Sequence, residues 1–169
     1  MQLDEFYNYK NKVLDDLLTN ENILKLLDDD LEGADAGKLM YKQVFPFEYI
    51  PETVEHGRTF ICCDVDLIPA GENLNRMIYK PVLYIWVFTH KDLLRLPNGG
   101  GVRTDKLAHE VAKKLCGSRY YGMGELTLYS VKRFAPMMDY QGKAIVFHAR
   151  DWNMPRPNRQ PIPANRKTG

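Results

Sequence analysis

The 169-residue chain has almost no net charge, few cysteines and no long apolar run, and each absence excludes a class of function. Lys and Arg number 23 against 22 Asp and Glu, a formal charge of +1, which is not the basic excess of a dedicated nucleic-acid binder. The three cysteines, Cys62, Cys63 and Cys116, are odd in number and two are adjacent. That is no disulfide framework, and it makes a poor zinc constellation because neighbours on a strand point to opposite faces. Buried free thiols in a reducing cytoplasm are the expectation. The longest apolar stretch, Pro81 to Phe88, is strand-length and far short of the ~18 residues of a membrane span. The opening Met-Gln-Leu-Asp-Glu is acidic where a signal peptide is basic, so export is not expected. His-Glu-x-x-His, Gly-x-Ser-x-Gly and Cys-x-x-Cys are all missing. No catalytic, cofactor-binding or metal residue is therefore expected.

What is present points to one folded domain. Hydrophobic residues make up 44% of the chain and aromatics 11%, too much for global disorder. A domain of this length buries roughly 70% of its unfolded surface and needs no covalent or metal staple. The small total charge hides a gradient. Residues 1–40 hold ten acids and four bases, residues 41–151 twelve acids and fifteen bases, and residues 152–169 four bases and no acid. The chain is acidic at one end and basic at the other.

Helical spacing of Leu3, Phe6, Val13, Leu14, Leu17 and Leu18 predicts an amphipathic helix over 3–18. Asn20 is a suitable N-cap for a short second helix bearing Ile23, Leu24, Leu26 and Leu27. The run Asp28-Asp29-Asp30 ends it, since carboxylates oppose the dipole at a helix C-terminus. Beyond this point the period falls to two. Residues 43–50 read as a short extended piece, and 58–67 as a strand with Ile61, Cys63 and Val65 on one face. Residues 69–73 supply a turn, and 77–90 form a central strand, apolar on both faces, that pairs back as a long hairpin. After a glycine loop at 96–101, Thr104 N-caps a helix through Leu115, with Gly117 as its C′ residue. Strands over 125–134 and 143–151 flank a hairpin loop at 138–142. The predicted fold is α+β: a small, mostly antiparallel sheet with an N-terminal helical segment and one helix packed on it. Residues 1–151 form the domain, and 152–169, with four of the ten prolines, form an extended basic arm.

Several features invite a ligand reading. Gly99-Gly100-Gly101 precedes a helix, and helix N-termini bind anions, but the Lys-Ser or Lys-Thr of a phosphate loop is missing. A surface loop that orders on contact with a neighbour is the better reading. Asp64 and Asp66 share a strand face as a metal pair would, yet a third ligand, Asp92 or Asp105, would be a guess. Solvated edge carboxylates are expected there. His56, His90, His109 and His148 are isolated in sequence, and the acidic run lacks the calcium-loop spacing. It reads as a solvated face, or as a docking patch for basic residues of another subunit. The arm reads either as a plain tail or as an element that crosses a neighbouring protomer, since eighteen extended residues span roughly 55–60 Å.

The order of elements, with Val82-Leu83-Tyr84-Ile85-Trp86-Val87-Phe88 followed by a loop and the helix Asp105 to Leu115, resembles the tail terminator (tail completion) proteins of long-tailed bacteriophages. The segments Glu125 to Val131 and Lys143 to Phe147 are similar to the final hairpin of that family. Arg95 to Asp105 and Val131 to Pro136 resemble neck or tail proteins of prophages. The resemblance spans about residues 3–151. It implies a non-enzymatic virion protein, made in the host bacterial cytoplasm. Such a protein forms a hexameric ring that caps the tail tube, meets the head connector or stopper, and touches DNA only transiently and without sequence preference. It implies no membrane partner. The residues expected at subunit contacts are Asp28, Asp29, Asp30, Arg95, Gly99, Gly100, Gly101, Arg103, Arg156, Arg159, Arg166 and Lys167. The loops 91–103 and 135–142 are natural contact elements. The alternatives are a stopper, an adaptor or a minor capsid-associated protein, and, in another class, a small nucleotide- or metal-dependent enzyme.

Overall fold

The computed structural model describes residues 5–28, 33–51, 57–73 and 76–150. In chain order these form α1 (Glu5–Leu17), α2 (Glu21–Leu27), β1 (Val44–Phe45), β2 (Thr59–Asn73), β3 (Arg76–His90), α3 (Arg103–Leu115), β4 (Glu125–Phe134) and β5 (Tyr140–Arg150). Short 3₁₀ turns occupy Gly33–Leu39, Lys91–Leu93 and Pro97–Gly99. The strands make one sheet in the order β1-β2-β3-β5-β4, antiparallel except for the parallel β1–β2 pair. The fold is α+β, as the change of period from 3.6 to 2 predicts.

All three helices lie on one face of this sheet. Val13, Leu14 and Leu17 of α1, Ile23 and Leu27 of α2, and Leu107, Val111 and Leu115 of α3 close over Ile61, Cys63, Leu83, Ile85, Val87, Ile145 and Phe147. Each such side chain is worth about 1.5–3 kcal/mol when fully buried, so this layer dominates stability. The opposite face holds a smaller aromatic core of Phe45, Phe60, Phe88 and Tyr140 around Cys62. Phe60 and Phe88 stack at 5.2 Å between centroids, and Tyr140 meets Phe88 edge-on at 6.0 Å. Polar staples join the layers. The Gln43 side-chain amide donates to Leu27 O and Thr59 O, at 2.9 and 3.0 Å, tying α2 to the sheet.

Asn20 caps α2 as predicted, accepting from the Asn22 and Ile23 amides, and Gly117 takes φ +80° past the end of α3. Four local expectations are corrected. Residues 69–73 are strand, because a bulge between Pro69 and Gly71 absorbs the proline and carries β2 on to Asn73. Helix α3 starts a residue before Thr104, which is buried in its first turn. Its N-cap is Val102, held by the Arg95–Val102 bridge and by the Arg103 amide donating to Leu94 O at 2.8 Å. Strand β5 begins at Tyr140, so Gly142 is a strand residue rather than a turn residue. A Cβ on Gly142 would lie 1.9 Å from Val87 O, so only glycine lets β3 approach this closely. Finally, Cys62 and Cys63 are buried as expected, but Cys116 is exposed at the end of α3.

Candidate assembly surfaces

The loops at 91–103 and 135–142 come together. The Lys91 amide donates to Asp139 O at 2.8 Å, and its ammonium pairs with the Asp139 carboxylate at 2.7 Å. That hydrogen bond and the charge behind it raise the Lys91 pKa and lower that of Asp139. Beside this pair is a shallow depression of about 530 Å³ floored by Leu94, Gly99, Gly101 and Val102 and rimmed by Lys91 and Arg95. The glycine loop is closed by its own backbone. The Leu96 amide donates to Gly101 O at 2.9 Å and the Gly100 amide to Pro97 O at 3.0 Å. Gly99 and Gly101 take φ of +71° and +87°, and a Cβ on Gly100 would strike Leu96 at 2.9 Å. The loop is thus bonded to itself within the single chain.

The expected contact residues divide into four groups. Arg95 and the three glycines lie on this surface. Asp28 is the C-cap of α2, its amide donating to Leu24 O, and it lines a cleft of about 430 Å³ with Lys38, Lys42 and Arg58. Arg103 lines the same cleft as Asp28. It is 3% exposed, and its guanidinium donates to Leu93 O at 3.0 Å and Leu26 O at 2.8 Å, fastening the 91–103 loop to α2. Two of its N–H donors are thus held by backbone carbonyls inside the fold. Asp29, Asp30, Arg156, Arg159, Arg166 and Lys167 lie outside the described residues.

The open edges of the sheet went unrecognised in the sequence. β4 pairs only with β5, so its outer edge is unpaired among the described residues, and Leu128, Tyr129 and Val131 are exposed along it. A register shift between Leu128 and Ser130 leaves Tyr129 out of the ladder, stacked on His148 at 4.0 Å. At the other side, among the described residues, β1 covers β2 only at Ile61 and Cys62. The β2–β3 pair also outruns the sheet: among the described residues β3 meets β5 only from Val82 onward, so residues 67–73 and 76–81 form a two-stranded ribbon. The turn expected at 69–73 hid this, because it stopped β2 at Leu67; the fifteen residues of β3 outrun the eleven of β5.

The ligand readings gain nothing from the geometry. The Asp64 carboxylate pairs with Lys10 at 3.1 Å and Asp105 with Lys143 at 3.1 Å, so Asp64 is not the freely solvated edge carboxylate expected. No cluster of three metal-ligating side chains occurs among the described residues. Burial pushes the Cys62 thiol up to about 12 and raises that of Cys63 as well, so neither is a nucleophile. His90 is buried, with Nδ1 3.4 Å from the Asp92 amide that donates to it, and its Nε2 has no partner among the described residues. Among the described residues, no helix is long and apolar enough to cross a membrane.

The model of the YomW family matches residues 20–149, more than three quarters of the chain. The chain belongs to the YomW family. The name derives from Bacillus phage and prophage, and the match points to a phage-associated protein. No curated protein matches the chain. The YomW match takes in α2, the whole sheet but for Arg150, α3 and the 91–103 surface. Residues before Asn20, which include α1, and the basic C-terminal segment lie outside it.

Proposed function

We propose that this phage-associated protein is a non-enzymatic structural subunit of the phage neck or tail, a tail terminator that works by closing into a ring. The observation that carries the reading is the ribbon of residues 67–73 and 76–81. A lone two-stranded hairpin is marginal in water, so a long one projecting from a sheet is expected to rest on a neighbour. Open edges at opposite sides of the same sheet suit a head-to-tail contact, which repeats and closes when the rotation permits. The bulge at Tyr129 hinders unlimited edge-to-edge pairing and favours a contact of defined geometry. In this role the ring caps the tail tube, faces the head connector, and lets DNA pass without binding it tightly.

Light scattering and negative-stain imaging of the purified protein test the proposal. A ring with a sixfold multiple of the 19.6 kDa chain mass, able to cap isolated tail tubes, is expected. A strict monomer that leaves tube ends open overturns it.

A further inference from the structure

The acidic end of the charge gradient borders a groove in the structure. Between α1, α2 and the 3₁₀ turn Gly33–Leu39 lies an open groove of about 450 Å³. Its apolar lining comes from Leu18, Leu24, Ala36 and Met40, and its acidic rim from Asp15 and Glu21, both exposed. We infer that this groove is the docking site for the C-terminal segment 152–169 of a second copy of the chain. The inference rests on the ring reading above and specifies which parts of two subunits meet.

Charge and composition select the occupant. The segment carries Arg156, Arg159, Arg166 and Lys167 with no acid, and interleaves them with Met154, Pro155, Pro157, Pro161, Ile162 and Pro163. Apolar side chains suit the lining and the cations suit the rim. Prolines lower the entropy lost when an extended segment is immobilised. β5 ends at Arg150 opposite Glu125, beside the segment whose Tyr121 hydroxyl donates to Asp16, the neighbour of Asp15 in sequence. From there, nineteen extended residues reach about 60 Å, enough to span to an adjacent subunit. A neighbour supplies the matching groove in the same orientation, which is the defining property of a head-to-tail contact. Exposed charge pairs are screened by salt, so the contact is expected to weaken as ionic strength rises.

The test uses the full-length protein as an equal mixture of ¹⁴N- and ¹⁵N-labelled chains, treated with a carbodiimide that joins lysine to carboxylate without a spacer. The segment has one lysine, Lys167, so the expected product is mixed-isotope peptides linking Lys167 to Asp15 or Glu21. The double variant Asp15→Lys/Glu21→Lys is expected to lose these links and at least tenfold in association constant, while its circular dichroism is unchanged. An oligomer without these links overturns the docking site and leaves the ring reading standing. Links found only between atoms of one label overturn the second copy as occupant. A chain that stays monomeric at every concentration overturns the ring reading, and this inference with it.

Discussion

The Tyr121 hydroxyl donates to the Asp16 carboxylate at 2.6 Å, joining the turn before β4 to the last turn of α1. Lys114 of α3 meets the same carboxylate at 2.9 Å, so a single side chain holds three separate elements together. Burial raises the Asp16 pKa, but the bonds from Tyr121 and Lys114 more than offset it and leave the carboxyl below its ordinary value. A carboxylate with a depressed folded pKa stabilises above its unfolded value, about 3.9, and that stability is lost as pH falls through the lower folded value. Asp16→Asn is therefore expected to cost about 1–2 kcal/mol at pH 7, with the deficit shrinking once the pH is brought below 4. Urea melts of both proteins at pH 7 and pH 3 check this; an equal deficit at both contradicts it.

Gly142→Ala places a methyl group against Val87 O and Phe88 Cα, at 1.9 and 2.6 Å, in the middle of the β3–β5 ladder. Both are backbone atoms of β3, so no flexible side-chain end can give way. A loss of about 3 kcal/mol or more is expected, or a fall in Tm of about 10 °C. A thermal melt within 2–3 °C of the native protein would show that the two strands can separate there at little cost.

Arg103→Met keeps most of the volume but leaves Leu26 O and Leu93 O without their donor. A destabilisation of about 2–3 kcal/mol is expected, and hydrogen exchange should quicken across 91–103 before it does in β3. Arg103→Lys should rescue it poorly, because one ammonium cannot reproduce a fork that reaches two carbonyls.

Of the three thiols, only Cys116 is exposed. One equivalent of a thiol-specific disulfide reagent should react quickly with the native protein, and three after denaturation. Rapid reaction of a second thiol would mean that Cys62 or Cys63 opens to solvent.

Both hydrophobic cores are built from residues between Tyr9 and Ala149. Deleting 152–169 should therefore leave the melting temperature of dilute protein within about 2 °C, while weakening assembly in light scattering. Unchanged assembly would reduce the segment to a tail.

The main layers were legible in the sequence because periodicity reports burial directly. Val13, Leu14 and Leu17, or Leu83, Ile85 and Val87, fall at spacings that only one kind of element can bury on a single face. Boundaries failed where a tertiary contact outweighed a local signal. Pro69 and Gly71 announce a turn, yet a bulge keeps them in β2. Gly142 resembles a hairpin glycine, but the close approach of Val87 and Phe88 requires it. Thr104 is a good N-cap by type, but the backbone of Leu94 and Arg95 holds the start of α3 one residue earlier. For the assembly surfaces, composition showed that an acidic and a basic end exist. It could not show that Arg103 turns inward, or that Asp15 and Glu21 rim a groove.

The adjacent cysteines lend themselves to a different use. Cys63 is packed under the helices and Cys62 in the aromatic core beyond the sheet, so two neighbouring residues sample opposite sides of one strand. In pulse labelling under mild denaturant, equal modification rates would mean that both layers open as one cooperative unit. Faster labelling at Cys62 would mean that the aromatic face breathes by itself, and would time its closure when subunits associate.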